Sequence, residues 1–301
     1  MKFQHFSHLQ RYQALRIFKP HRRYKKLTMQ NITIGFIGGG NMASAMLSGM
    51  ISQQFTAQNI SVVDPDQEKC TALASKYGIK ASPQLEIVNS CNVIVLAVKP
   101  QQLKAVCKSL NELSSAQLVI SIAAGIRATD IARWLGGHRT IVRVMPNTPS
   151  QVQAGVSALF ALPEATSTQR MLAENIMAAV GKTLWVDDEK AMDSVTAISG
   201  SGPAYVFYLI ESLQEAGVKL GLSAENARIL ALETFLGASK LASMSESDIK
   251  TLRAQVTSKG GTTEQGILVM ESANIKEILY QTAKAAQEKS VILGDALGSD
   301  D

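Results

Sequence analysis

Cysteine is scarce in this 301-residue chain: Cys70, Cys91 and Cys107 are the full set, with no Cys-x-x-Cys pair. An odd, sparse complement excludes a disulfide framework and fits reduced thiols in a cytoplasmic protein, each read as a small buried apolar residue. Histidine is scarcer where it would matter. His5, His8 and His21 precede residue 29, which leaves only His138 for the body and argues against a His-based metal centre or triad, so no metal is expected. The longest near-unbroken apolar stretches, 93–98 and 118–126, fall well short of the roughly 18 residues that span a bilayer, and no membrane partner is expected. Acid is missing altogether from residues 1–28, which hold eight Lys or Arg. The net charge of +5 belongs to that segment, because the other 22 bases face 25 acids. A mildly acidic body predicts no nucleic-acid partner.

With 46% hydrophobic and 18% charged residues, the chain can bury large cores, and its length suggests two domains at about 150 residues each. Residues 1–28 read as a basic extension that Pro20 keeps from forming a helix. It is open to three readings: an over-extended start with Met29 as the initiator, an Arg-rich transit peptide, or an arm for an anionic surface. The first is favoured, since a strand begins three residues after Met29. From there short apolar runs alternate with helical stretches. Strands are expected at Ile32–Ile37, Ile60–Val63, Val93–Val98, Leu118–Ser121 and Thr140–Val144. Helices are expected at Asn41–Gln53 and at Gln67–Tyr77, the latter closed by Gly78. Continuous apolar strands alternating with helices predict a Rossmann-type, doubly wound parallel sheet, with a strand pair near Val156–Phe160 and Thr183–Val186 completing a domain over 29–188. Strand signals then vanish. Residues 189–301 read as an all-α domain with helices at Pro203–Leu220, Ala224–Ala242, Thr262–Ser272 and Ile275–Leu293. Ser223 is the expected N-cap of the second, and Gly221 and Gly294 are expected stops. Wide apolar faces rich in small residues suggest a subunit interface.

The first strand runs into Gly38-Gly39-Gly40-Asn41-Met42-Ala43, a G-x-G-x-x-A turn that opens a helix. Gly38 permits the turn, Gly40 lets backbone approach a diphosphate, and Ala43 lets the helix pack on the strand, with the helix N-terminus aimed at the phosphates. With Ile37 at the strand end, residues 37–43 are candidate dinucleotide ligands. Asp64 closes the second strand. Its carboxylate would accept from the adenosine ribose and favour NADH, although Lys69 could reach the same region, and Asp64 could instead belong to the Asp64-Pro65-Asp66 turn.

Hydride transfer to a protonated imine needs little acid–base machinery, whereas a ketone acceptor calls for a proton donor, so the missing histidines lean toward an imine. Two small-residue loops stand out beside the helices, Ser199–Tyr205 and Val256–Thr263. Thr262 and Gln265 have capping-box spacing. Gly260 and Gly261 expose backbone N–H groups before that helix start, an anion site suited to a carboxylate, with the Thr263 hydroxyl alongside.

Taken in order, Phe36–Ala43, Ala97–Pro100, Ser121–Gly125, Met145–Pro149, Ser199–Tyr205 and Ser258–Thr263 resemble the pyrroline-5-carboxylate reductases over essentially all of 29–301. That resemblance implies hydride transfer from NADPH or NADH to L-1-pyrroline-5-carboxylate, giving L-proline, the last step of proline synthesis. It places Ala97, Val98, Lys99 and Pro100 along the cofactor's ribose and nicotinamide side. Ala123, Ala124, Gly125, Pro146 and Asn147 would flank the nicotinamide, and Gln84 would supply a ribose-contacting amide. Ser258, Gly260, Gly261 and Thr262 would surround the substrate carboxylate, and Thr263, the expected catalytic residue, would contact the ring nitrogen. It also implies a homodimer whose sites use two chains, with assembly into a decamer. Lys259 departs from the family's usual Pro and bears on substrate affinity, and Asp64 is atypical of NADPH-preferring members. Two rival readings are a β-hydroxyacid dehydrogenase, for which the D-x-P-V-S-G-G-like loop is missing, and a dinucleotide sensor without turnover.

Overall fold

A computed structural model describes residues 31–110 and 113–299; the basic segment 1–28 and the choice of initiator lie outside them. The apolar runs form strands of one eight-stranded sheet. Its members are β1 (Ile34–Ile37), β2 (Ile60–Val63), β3 (Lys80–Ser82), β4 (Val93–Leu96), β5 (Leu118–Ser121), β6 (Ile141–Met145), β7 (Gly155–Ala161) and β8 (Gly181–Trp185). The order is 3-2-1-4-5-6-7-8. β1 to β6 are parallel, β7 turns back antiparallel to β6, and β8 runs parallel to β7. β1, β2, β4 and β5 are buried along their whole length. That is why they read as unbroken β-branched runs rather than as alternation. The Rossmann-type sheet expected from the sequence is present, and the expected strand pair joins it as β7 and β8. The edge strand β3 was not foreseen, since Lys80-Ala81-Ser82 carries no apolar signal.

The crossover helices are α1 (Asn41–Ser52), α2 (Gln67–Tyr77), α3 (Pro100–Ser109), α4 (Ala128–Trp134) and α5 (Ser167–Ala178). Asp66 caps α2 by accepting from the Lys69 amide, and Gly78 closes it in the left-handed conformation, φ 68°. All three cysteines are buried and free. Burial pushes the Cys107 thiol up to about 12 and the Cys91 thiol upward, so both stay protonated near neutrality.

After Trp185 every element is helical: α6 (Ala191–Val195), α7 (Gly202–Lys219), α8 (Ala224–Met244), α9 (Ile249–Gln255), α10 (Thr262–Ser272) and α11 (Ile275–Gly298). Ser223 caps α8 as expected, accepting from the Asn226 amide at 3.2 Å. The helix expected from Pro203 is present, but the loop expected before it is largely wound as well. Thr196–Gly200 winds as a π-turn, with the Ser201 amide donating to the Thr196 carbonyl at 2.8 Å, and runs directly into α7. Gly294, expected as a stop, lies inside α11. A Cβ there would fall 2.6 Å from the Gly125 carbonyl oxygen, so the missing side chain serves close packing rather than termination.

Through that contact α11 returns to the sheet. Ser290 Oγ donates to the buried Asp193 carboxylate at 2.7 Å, Arg127 pairs with Asp295 at 2.6 Å, and Leu297 packs on the apolar core. Alanine at a helical glycine ordinarily stabilises. Gly294→Ala should do the opposite, lowering stability by about 1–3 kcal/mol through overpacking, as read from the urea midpoint.

Candidate active site

The carboxyl ends of β1, β2, β4, β5 and β6 share one edge of the sheet, where ligands of open α/β folds sit. At that edge Gly38 turns with φ +100°, and a Cβ on it would meet the Ala97 carbonyl oxygen at 2.6 Å. The Ala97 amide donates to the Ile37 carbonyl at 2.8 Å, which fixes the 97–100 segment beside the turn. Gly40 is the N-cap of α1, and no side chain caps that helix. A Cβ on Gly40 would meet nothing within 4 Å, and Ala43 is fully buried against the sheet. The turn therefore presents first-turn amides and a positive helix end to open space, the shape a diphosphate requires. Asn41 is exposed and Met42 half-buried at this opening.

Asp64 lies beside the turn, buried. Its Oδ2 accepts from the Gly39 amide at 2.9 Å and its Oδ1 from the Asp66 amide at 3.1 Å. Lys69 Nζ reaches both oxygens, at 3.2 and 3.1 Å. Burial disfavours the charged carboxylate, but the Gly39 and Asp66 amides and the Lys69 ammonium outweigh it and hold the Asp64 pKa below its ordinary value. The carboxylate expected to bind ribose is thus engaged in holding the phosphate turn.

The other cofactor candidates gather along the same edge. Lys99 is exposed and precedes Pro100 at the start of α3. Beyond β5, Ala123 is buried, Ala124 is exposed, and Gly125 turns with φ +82° under α11. Beyond β6, Pro146 is buried, and Asn147 Oδ1 accepts from the Val156 amide at 2.9 Å, tying the β6–β7 connection. A Cβ on Gly200 would strike Met145 Cε at 2.4 Å, so the π-turn seats against the end of β6. Gln84 is exposed just beyond β3. His138 precedes β6, at the opposite edge, and burial lowers its pKa, so it is neutral and remote from this chemistry. Among the described residues no cluster of three or more His, Cys, Asp or Glu could hold a metal, and no helix is long and apolar enough to cross a membrane.

The second turn differs from its expected form. Gly261, not Thr262, is the N-cap of α10, and no side chain caps it. The Thr262–Gln265 capping box does not form; Glu264 instead accepts from the Gly260 amide at 2.6 Å. Gly260 has φ +75°, and the Gly261 amide donates to the Ser258 carbonyl at 3.0 Å. Ser258, Lys259, Thr262 and Thr263 are exposed. The hydrogen bonds described for residues 258–263 stay within the turn and α10, so this one chain shows no bonded link between the turn and the dinucleotide edge. Around it the apolar faces of the helices stand open, with Phe207 64%, Tyr208 69% and Val269 68% exposed. Patches of that kind mark interfaces.

Residues 189–293 match the family model for pyrroline-5-carboxylate reductase dimerisation, and residues 33–125 match that for NADP oxidoreductase, coenzyme F420-dependent. A pyrroline-5-carboxylate reductase of Pseudomonas aeruginosa is 42% identical over 272 residues, which covers 90% of this chain and 100% of that protein. The solved pyrroline-5-carboxylate reductase of Coxiella burnetii superposes with a TM-score of 0.81 at 42% identity, covering 86% of this chain and 97% of the other. The Plasmodium falciparum pyrroline carboxylate reductase, solved with NADP bound, gives 0.78 at 33% identity over 90% and 100% of the two chains.

The Asp64 carboxylate ties the phosphate turn to β2 and is ionised more readily in the native chain than in the unfolded one. Its stabilising effect is full above about pH 3.9, the unfolded value, and is lost as pH falls through the lower native value. Asp64→Asn should therefore unfold at lower urea than the parent at pH 7, with the gap closing in strong acid.

Proposed function

Since the chain belongs to the pyrroline-5-carboxylate reductase family, we propose that it reduces L-1-pyrroline-5-carboxylate to L-proline with NAD(P)H, the closing step of proline synthesis. The single observation that carries the reading on this chain is the open Gly40 cradle at an uncapped helix start, in a chain with relatives of that name over most of its length. When bound, a reduced nicotinamide supplies the hydride.

The chain's own residues then have a limited set of tasks. Backbone amides of residues 39–43 face the diphosphate, and Ala97–Pro100, with Gln84, border the ribose and nicotinamide. Ala123–Gly125 and Pro146–Asn147 shape the nicotinamide side. Ser258 and the Thr262 amide take the substrate carboxylate at the positive start of α10, and the Gly260 and Gly261 amides, which donate to Glu264 and to the Ser258 carbonyl in this chain, turn to it as it binds. Thr263 Oγ1 orients the ring nitrogen of the protonated imine. With no histidine among the described residues at this edge, catalysis rests on positioning, which can supply about 7–11 kcal/mol of barrier reduction. Residues 29–188 form the dinucleotide-binding domain and 189–301 the substrate and dimerisation domain. The helical faces exposed in one chain close in a homodimer, which brings one protomer's 258–263 turn to its partner's dinucleotide edge, and such dimers assemble into a decamer. The enzyme works in the cytoplasm, away from nucleic acid and membrane.

The direct test follows loss of reduced-nicotinamide absorbance with pyrroline-5-carboxylate, using NADPH and NADH in turn; no oxidation with either would sink the reading. Thr263→Ala should cut turnover by roughly tenfold or more, the value of one hydrogen bond to a charged group, while leaving cofactor binding intact. A mixed dimer tests site sharing. Gly40→Glu places a carboxylate where the diphosphate lies and should abolish turnover in its own homodimer, while the Thr263→Ala homodimer should keep only its reduced rate. Heterodimers of Gly40→Glu and Thr263→Ala should regain one working site if the site spans two chains, and none if it lies within one.

A further inference from the structure

Resting on that cofactor reading, we infer that Lys69 is the group that reads the 2′-phosphate of NADPH, that Asp64 is its positioning residue, and that the chain favours NADPH over NADH. An ionised carboxylate offers about four lone-pair directions. Asp64 has all four committed: one to the Gly39 amide, one to the Asp66 amide and two to Lys69 Nζ. None remains for the vicinal hydroxyls of an NADH ribose, so the acid at the end of β2 does not act as their acceptor while Lys69 stays in place. The two partners also differ in depth. The Asp64 side chain is 8% exposed and that of Lys69 41%, so the ammonium lies outside the carboxylate and is what an arriving ligand meets first.

The stem of Lys69 crosses the phosphate turn, since a Cβ on Gly39 would lie 3.4 Å from Lys69 Cδ. That places a flexible cation at the border of the diphosphate site, on the β2 side where the adenosine ribose lies. The Lys69 end of the pair faces solvent, so the ammonium can turn outward toward a ligand while the buried carboxylate stays in place. A 2′-phosphate, with about 1.5–2 negative charges near neutral pH, offers the ammonium a stronger partner, and Asp64 keeps its two amide donors when Lys69 swings away. An uncharged ribose hydroxyl offers no such exchange.

The test is calorimetric titration of the full-length protein with 2′,5′-ADP and 5′-AMP, a pair that differs only in the 2′-phosphate and needs no turnover. The parent should bind 2′,5′-ADP more tightly, and added salt should narrow the difference. Lys69→Met should weaken 2′,5′-ADP by roughly tenfold or more, as expected for a lost charged hydrogen bond, and leave 5′-AMP unchanged. Lys69→Arg should keep the preference. Equal weakening of both probes by Lys69→Met would mark a merely structural pair and overturn the inference, as would no change in either. If the parent bound neither NADPH nor NADH, the cofactor reading itself would fall.

Discussion

Close approach of backbone to backbone is the constraint on which the rest of this molecule depends. Gly38 lies so near the Ala97 carbonyl that no side chain fits between them, and this holds the ends of β1 and β4 together under the phosphate turn. Gly294 lies as near the Gly125 carbonyl, and this brings the last helix down on the loop after β5. One contact shapes the cofactor side of the edge, and the other fastens the helical segment to it. Neither is strong in itself. Each permits hydrogen bonds and apolar packing that a β-carbon would hold apart.

Much of the sheet was legible because burial on both faces writes itself as unbroken β-branched runs. The phosphate turn was legible because three small residues at fixed spacing have one economical explanation after a strand. What stayed hidden were features set by distant partners. β3 is an edge strand held by backbone pairing to β2, and its residues carry no pattern. Gly294 reads locally as a terminator, and only the Gly125 carbonyl, 169 positions away in the chain, shows otherwise. Thr262 and Gln265 have the spacing of a capping box, but Glu264 reaches the Gly260 amide and the cap moves to Gly261. Asp64 was visible as an acid at the right place, yet its engagement by Gly39, Asp66 and Lys69 needed three-dimensional neighbours to be seen.

Function follows from division of labour along the chain. The sheet supplies an edge with open first-turn amides at Gly40 and one ion pair, Asp64 with Lys69, beside them. The helices supply an exposed threonine and a glycine turn whose described hydrogen bonds stay within the turn and α10. A chain with so little acid–base equipment is suited to an acceptor that arrives protonated, and arrangement then carries most of the chemical burden.

The π-turn at Thr196–Gly200 has a consequence for that arrangement. A five-residue ring in place of a four-residue one is equivalent to a single inserted residue, and each residue rotates a helix by roughly 100°. The azimuth at which α7 leaves the sheet edge is therefore set by that one insertion. Excising it would swing the oily stripe of α7 by more than a quarter turn, so the direction in which that face looks is encoded in the phase of one irregular turn.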